Sequence, residues 1–196
     1  MELLIGVPTF DDCVCTETMK SIFYLDIDRF VKVDLEFVKG YDCAKARNDI
    51  CRKALNGGYD FVLMVDGDVI LPENAVERLI MCDSAVAFGW YRRGSNKSLT
   101  TAFNRHGDYS DDNCISVSQV LEAEEPIRVR GSGMGCALIR TRYLHELDAP
   151  FFEYVTYPDG GVLSEDLYFC SKMRRSGKTM LLDPAVECKH VKKVIF

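Results

Sequence analysis

Five consecutive apolar residues, Phe61-Val62-Leu63-Met64-Val65, run without a break into Asp66-Gly67-Asp68. An apolar run of this length, with Gly57-Gly58 before it and charged residues after it, predicts a strand buried on both faces. Such strands belong to parallel sheets with helices on either side, so this segment alone narrows the fold class to α/β. It also delivers two carboxylates to the carboxyl end of the strand, where open α/β sheets bind ligands. Like charges this close repel unless a cation neutralises them. Their hard oxygens suit Mg2+ or Mn2+. The spacing by itself is weak evidence, since Asp26-Ile27-Asp28 repeats it in what reads as a solvated turn. The bland alternative is that Asp66 and Asp68 only end the strand and cap the following helix.

The flanking sequence supports a mostly parallel sheet flanked by helices. Leu3-Leu4-Ile5-Gly6-Val7 reads as a first buried strand ended by Pro8 and Thr9. Met19, Ile22 and Phe23 lie at helical spacing. Val31, Val33, Leu35 and Phe37 alternate with Lys32, Asp34 and Glu36, predicting a strand with one polar face. A helix is expected over about 43–55, stopped by Gly57-Gly58. Pro72 stands where a first helical turn tolerates it, ahead of an apolar stripe at Ala75, Val76, Leu79 and Ile80. Ala85-Val86-Ala87-Phe88 predicts another strand. From Gly94 to about Glu125 the pattern weakens, and strands joined by a long loop are expected. A strand over 135–140, a short helix over 142–147, a helix N-capped by Ser164 and a last strand at 180–182 complete the reading. No linker composition interrupts it, so residues 1–196 are expected to form one domain, with a nucleotide-binding half over about 1–90 and an acceptor-side half over about 91–196.

The chain carries a net charge of −6, which argues against general attraction to nucleic acid. Basic clusters at Arg92–Arg93, Arg128–Arg130, Arg174–Arg175 and Lys189–Lys193 read mostly as solvated faces, a polyanionic ligand such as a diphosphate being the exception of interest. Nine cysteines lack a framework spacing and sit largely beside apolar residues, as buried thiols do. The opening residues lack a signal-peptide pattern and no 18-residue apolar segment occurs. A cytoplasmic protein is expected, with the ending Lys189–Phe196 as the candidate for peripheral membrane contact.

In this setting the ordered motifs resemble the GT-A fold glycosyltransferases, nearest to the family 2-like group. Gly6-Val7-Pro8-Thr9 is similar to the opening strand and turn that contact the nucleotide. Ala46-Arg47-Asn48 is similar to a helical A-R-N element near the nucleotide-sugar. Asp66-Gly67-Asp68 resembles the metal-binding motif, and Ser164-Glu165-Asp166-Leu167 the acidic motif that opens the acceptor-side helix. His190 stands where many members carry a late histidine that completes the metal site. The turn departs from the pattern, reading Phe10-Asp11-Asp12 rather than Tyr-Asn-Arg, and no extended C-terminal region follows His190.

The resemblance implies a metal-dependent transfer of a sugar from a UDP- or GDP-sugar to a hydroxyl of a glycan or other acceptor, with inversion. It implies Mn2+ or Mg2+ held by Asp66, Asp68 and His190, and Asp166 as general base. Pro8, Thr9, Arg47, Asp66 and Gly67 are then expected on the donor side, with Glu36 or Asp34 accepting hydrogen bonds from the base. For Arg47 a surface salt bridge is the alternative, and for Glu165 and Asp166 it is complementing the helix dipole. Tyr91 and Arg92 follow a strand that ends near the site, so an acceptor or phosphate contact is expected of them. Gly131-Ser132-Gly133-Met134-Gly135 matches neither a Walker loop nor a dinucleotide fingerprint. It reads as close backbone approach to donor sugar or acceptor, with Gly133, Met134 and Glu165 on the acceptor side. Trp90 suits sugar stacking or core packing. Two other functions compete. A sugar-1-phosphate nucleotidyltransferase would open with a glycine-rich basic loop, which Pro8–Asp12 is not; a non-catalytic nucleotide-sugar binding module would share the motifs without turnover.

Overall fold

The computed structural model describes residues 1–9 and 13–191. The turn Phe10-Asp11-Asp12 and the basic-apolar ending beyond Val191 therefore lie outside the described residues. The chain opens with β1 (Glu2–Thr9), α1 (Thr16–Phe23), β2 (Lys32–Lys39), α2 (Cys43–Asn56) and β3 (Phe61–Val65). It continues through β4 (Val69–Ile70), α3 (Ala75–Met81), β5 (Val86–Trp90), β6 (Leu99–Asn104), β7 (Cys114–Ser116) and α4 (Val117–Leu121). The remainder holds β8 (Ile127–Gly131), β9 (Cys136–Arg140), β10 (Val155–Thr156), β11 (Val162–Leu163), α5 (Glu165–Arg175), β12 (Met180–Glu187) and β13 (Lys189–His190).

A nine-stranded sheet in the order β2-β1-β3-β9-β5-β12-β8-β6-β7 forms the centre. β1 pairs in parallel with β2 and β3, and β5 with β12. β9 runs antiparallel between β3 and β5, so a strand from the second half of the chain separates two strands of the first. Every residue of β3 and of β5 is buried, as their unbroken apolar character requires. One apolar cluster lies on each face of the sheet: Ile50, Phe88, Trp90, Phe152 and Phe169 on the α2–α5 side, and Leu3, Ile5, Leu63 and Leu79 on the α1–α3 side. At Gly6 a Cβ would lie 2.3 Å from Ile50 Cγ2, so glycine permits α2 to close on β1.

Local signals account for the helix ends. Asp42 caps α2 by accepting from Lys45 N at 2.7 Å, and the helix stops at Gly57, followed by Gly58 with φ +70°. The strands expected after Gly94 are β6 and β7, joined by a connection over 105–113, and α4 follows, begun by a capping box between Ser116 and Gln119. The expected helix at 142–147 is a 3-10 turn over Thr141–Glu146. The last strand extends to Glu187, with a register irregularity where Pro184 withholds its donor.

The edge strand β2 corrects one expectation. Its apolar side chains Leu35 and Phe37 are 39% and 44% exposed, while its polar face grips α2 and the turn after it. Lys53 Nζ donates to Glu36 at 2.6 Å and Tyr59 Oη donates to Asp34. Among the described residues no helix is long and apolar enough to cross a membrane.

Candidate active site

β3 ends inside the sheet, and its neighbour β9 fixes how the acidic pair leaves it: Asp66 N donates to Gly135 O at 3.2 Å. A turn closed by Val69 N to Asp66 O at 3.0 Å then starts β4. The chain returns 122 residues later as β13, which pairs antiparallel with β4 and sets His190 opposite Val69. Val191 N donates to Asp68 O at 2.8 Å, and His190 Nε2 lies 3.0 Å from Asp68 Oδ2. The hydrogen bond to His190 holds the Asp68 carboxyl below its usual range. The Tyr91 ring sits 5.4 Å from the imidazole.

Asp66 belongs to a second, more buried ionic cluster. Arg47, projecting from α2 and only 4% exposed, donates to Asp66 Oδ1 at 2.7 Å and to Glu165 Oε1 at the start of α5. Burial opposes the charge of this guanidinium, but Asp66, Glu165 and Asp166 outweigh it and raise its pKa. Arg47 Nε is buried without a hydrogen-bond partner among the described residues. One fixed positive charge therefore faces three carboxyl groups, a balance that favours a proton or an added cation.

Asp166 responds accordingly. Burial raises its pKa, Arg47 opposes the rise and Glu165 adds to it. Position at a helix N-terminus favours the ionised form, but desolvation outweighs it here. Ser164 occupies the N-cap position, yet its hydroxyl donates to Asp166 Oδ1 rather than accepting from the helix backbone. Leu167 N donates to the same oxygen at 2.7 Å.

Gly133 and Gly135 are explained by proximity. A Cβ on either would stand 2.7 or 2.8 Å from Tyr91 Oη, and one on Gly135 would lie 3.1 Å from Asp66 Oδ2. Tyr91 is buried, and burial followed by Asp66 and Asp166 raises its phenol pKa, so it stays a neutral donor.

The structure thus brings Arg47, Asp66, Glu165 and Asp166 into one cluster, and Asp68, His190 and Tyr91 into a contiguous one. The β1–β3 register carries Pro8 and Thr9 to the same end of the sheet as Asp66. Gly67 turns its carbonyl to Cys15 N at 2.7 Å. Other residues part from expectation. Glu36 and Asp34 are engaged by Lys53 and Tyr59, as above. Met134 is fully buried in the core and offers no surface to an acceptor. Glu165 is likewise buried, and its carboxylate faces Arg47. Trp90 is fully buried, donating to Pro184 O at 2.9 Å, which settles it as core. Asn48 of the A-R-N element holds the backbone at Phe151 and Phe152 by bonds to both ends of its amide. Arg92 lies 3.8 Å from Glu187 at the rim of a cavity that reaches His190. Ser164 joins the site as a donor to Asp166 rather than as the expected cap, and Tyr154, hydrogen-bonded to Glu165, joins it without any local signal in the sequence.

Among the described residues no three His, Cys, Asp or Glu side chains converge as a ready-made metal cage. The chemistry of the donors nonetheless suits a divalent cation: a carboxylate oxygen of Asp68 and an imidazole nitrogen of His190 lie side by side at 3.0 Å, joined here by a hydrogen bond. Mg2+ and its analogues are usually held by one or two protein ligands plus phosphates and water, so a closed cage is not required.

No protein-family model matches the sequence, and no curated protein matches it. Solved structures do resemble the fold. A197 from STIV superposes with a TM-score of 0.66 at 17% identity, over 98% of this chain and 87% of that one. GalNAc-T7, solved with UDP, GalNAc and Mn2+, superposes with a TM-score of 0.63 at 11% identity, over 99% of this chain but 44% of its own. At such identities the likeness speaks to architecture, and the architecture is the GT-A fold, an α/β sheet flanked by helices with the acidic pair at its carboxyl edge.

Proposed function

We propose that the chain is a metal-dependent glycosyltransferase, a single catalytic domain that moves a sugar from a UDP- or GDP-sugar to a hydroxyl acceptor with inversion. The observation that carries this reading is the contact between Asp68 and His190, made where two short strands far apart in the sequence pair. A hydrogen-bonded carboxylate and imidazole at the carboxyl edge of a sheet, beside a cluster short of positive charge, are suited to a cation and a diphosphate. The solved GalNAc-T7 structure, with UDP and Mn2+, supports the same choice of ligands.

Asp68 and His190 would hold Mn2+ or Mg2+, with Asp66 beside them. The bound ion would supply Lewis-acid stabilisation of the charge that develops on the departing diphosphate. The chain's own residues do the rest. Arg47 fixes Asp66 in place, and Glu165 fixes Arg47. Gly133 and Gly135 leave room for Tyr91 to donate toward the reacting centre. Asp166, held through Oδ1 by Ser164 and Leu167, presents its other oxygen to the acceptor hydroxyl. As that hydroxyl oxygen forms a bond to the anomeric carbon, the bond from that carbon to the diphosphate oxygen breaks and the hydroxyl proton passes to Asp166. A carboxyl held above its ordinary range makes the stronger base for this step.

Thermal unfolding against a panel of nucleotide-sugars, with and without Mn2+, tests the proposal. A donor at a hundred times its Kd should stabilise the chain by about 2.7 kcal/mol, roughly 5–10 °C here. If no nucleotide-sugar shifts the melting temperature with metal present, the proposal is wrong. If a donor binds but neither transfers nor hydrolyses with any acceptor, the chain is a binding module.

A further inference from the structure

The cavity beside Arg92, of about 300 Å³, opens where the ends of β5 and β12 meet the start of β13. Its wall includes Arg92, Arg93, Lys97, Lys189 and His190 and, among the described residues, one carboxylate, Glu187. This concentration of positive charge occurs in a chain whose net charge is −6. The fold explains why these residues meet. β5 and β12 are parallel neighbours, so Arg92 just after one and Glu187 at the end of the other emerge at the same edge. Arg92 donates to Lys97 O at 3.4 Å, closing the turn, and Arg93 pairs with Asp111. Neither Arg47, Asp66, Asp68, Glu165 nor Asp166 lines the cavity, and His190 is its link to the acidic clusters.

We infer that this cavity is a phosphate subsite for the acceptor: the hydroxyl compound that receives the sugar carries a phosphate, which docks among Arg92, Lys97 and Lys189. The inference deepens the transferase reading and rests on it. A neutral glycan is held by mixed donors and acceptors and by aromatic faces, whereas the charged groups described on this wall are four cations to one carboxylate, Glu187. Guanidinium forks and ammonium groups match the oxygens and charge of a phosphate. The volume stands at the small end of ligand pockets, suited to a phosphate group and its immediate attachment. A phosphate docked there would lie beside His190, which itself touches Asp68.

The test compares the full chain with a Lys97→Glu/Lys189→Glu variant, both lysines being exposed. Inorganic phosphate is titrated calorimetrically in EDTA at low salt, and UDP and GDP are titrated separately with Mn2+. The expected result is metal-independent phosphate binding by the wild type, weakened about tenfold or more in the variant, with nucleotide affinity unchanged. Absence of phosphate binding in the wild type, or equal binding in the variant, overturns the inference. So does a parallel loss of nucleotide affinity, which would assign the cavity to the donor's diphosphate. A wild type that binds phosphate but no nucleotide would sink the transferase reading while the phosphate titration still reported on the cavity. If the double variant melts early, single Lys97→Glu repeats the comparison.

Discussion

Asp66 and Asp68 stand one glycine apart, yet their surroundings differ in kind. Asp66 is tied to Arg47, which is itself locked to Glu165 beneath the surface. Asp68 is half exposed and touches His190 on a two-residue strand at the rim. The first carboxylate already has its counter-charge inside the protein; the second is arranged beside one neighbouring donor and open space. A buried ion pair is costly to disturb and therefore positions. An exposed pair contributes little to stability and can exchange its partner for an ion. The division suggests a rigid half that sets geometry and an open half that trades ligands.

The sharpest way to probe the rigid half is Asp166→Asn, expected to lower kcat by about 10²–10⁴ with donor affinity retained. Its melting curve carries a second readout. Burial holds the Asp166 carboxyl above its ordinary range, so the folded state binds that proton more tightly than the unfolded one. Stability should then fall as pH rises from the unfolded to the folded value, and the asparagine variant should lack that contribution. A variant that transfers sugar at the wild-type rate would remove Asp166 as the base.

Next in size is Arg47→Met, which leaves buried Glu165 and half-buried Asp66 without their cation and should cost about 3–5 kcal/mol in denaturant unfolding. Asp68→Ala is the contrasting case. It should lower turnover about 10²–10³-fold and abolish the response to added Mn2+, while stability moves by less than about 0.5 kcal/mol. If the stability effects of these two variants were reversed, the comparison between the halves would fail. The smallest effect is expected for His190→Ala, a loss of about 10- to 100-fold in the Mn2+ concentration dependence of activity. Activity that survives exhaustive chelation in the wild type would remove the metal from the open half altogether.

Much of this organisation was legible along the chain because it rests on short-range physics. A run of five apolar residues has to be a buried strand, and it carries Asp66 and Asp68 to its carboxyl end. Helical spacing and Gly57-Gly58 bound α2, and so place Arg47 on it. By contrast β2 misled, because alternation reports that a strand has two unlike faces but not which face is covered. As an edge strand it leaves Leu35 and Phe37 partly exposed and turns Glu36 to Lys53. Met134 is expected on the acceptor side from its glycine-rich neighbours, and Trp90 in either place; packing puts both in the core.

The sequence by itself determined the fold class, the acidic pair at a strand end and the order of the motifs, since periodicity and turn chemistry act between residues a few positions apart. Only the tertiary structure decided that Arg47 is an internal counter-ion to Glu165, 118 residues away, and that His190 reaches Asp68 across 122. It also decided that β9 divides β3 from β5 and that Arg92 and Lys189 share a cavity. Contacts of that range depend on which strands pair and on how burial changes the cost of a charge, and neither is encoded in any local stretch of the chain.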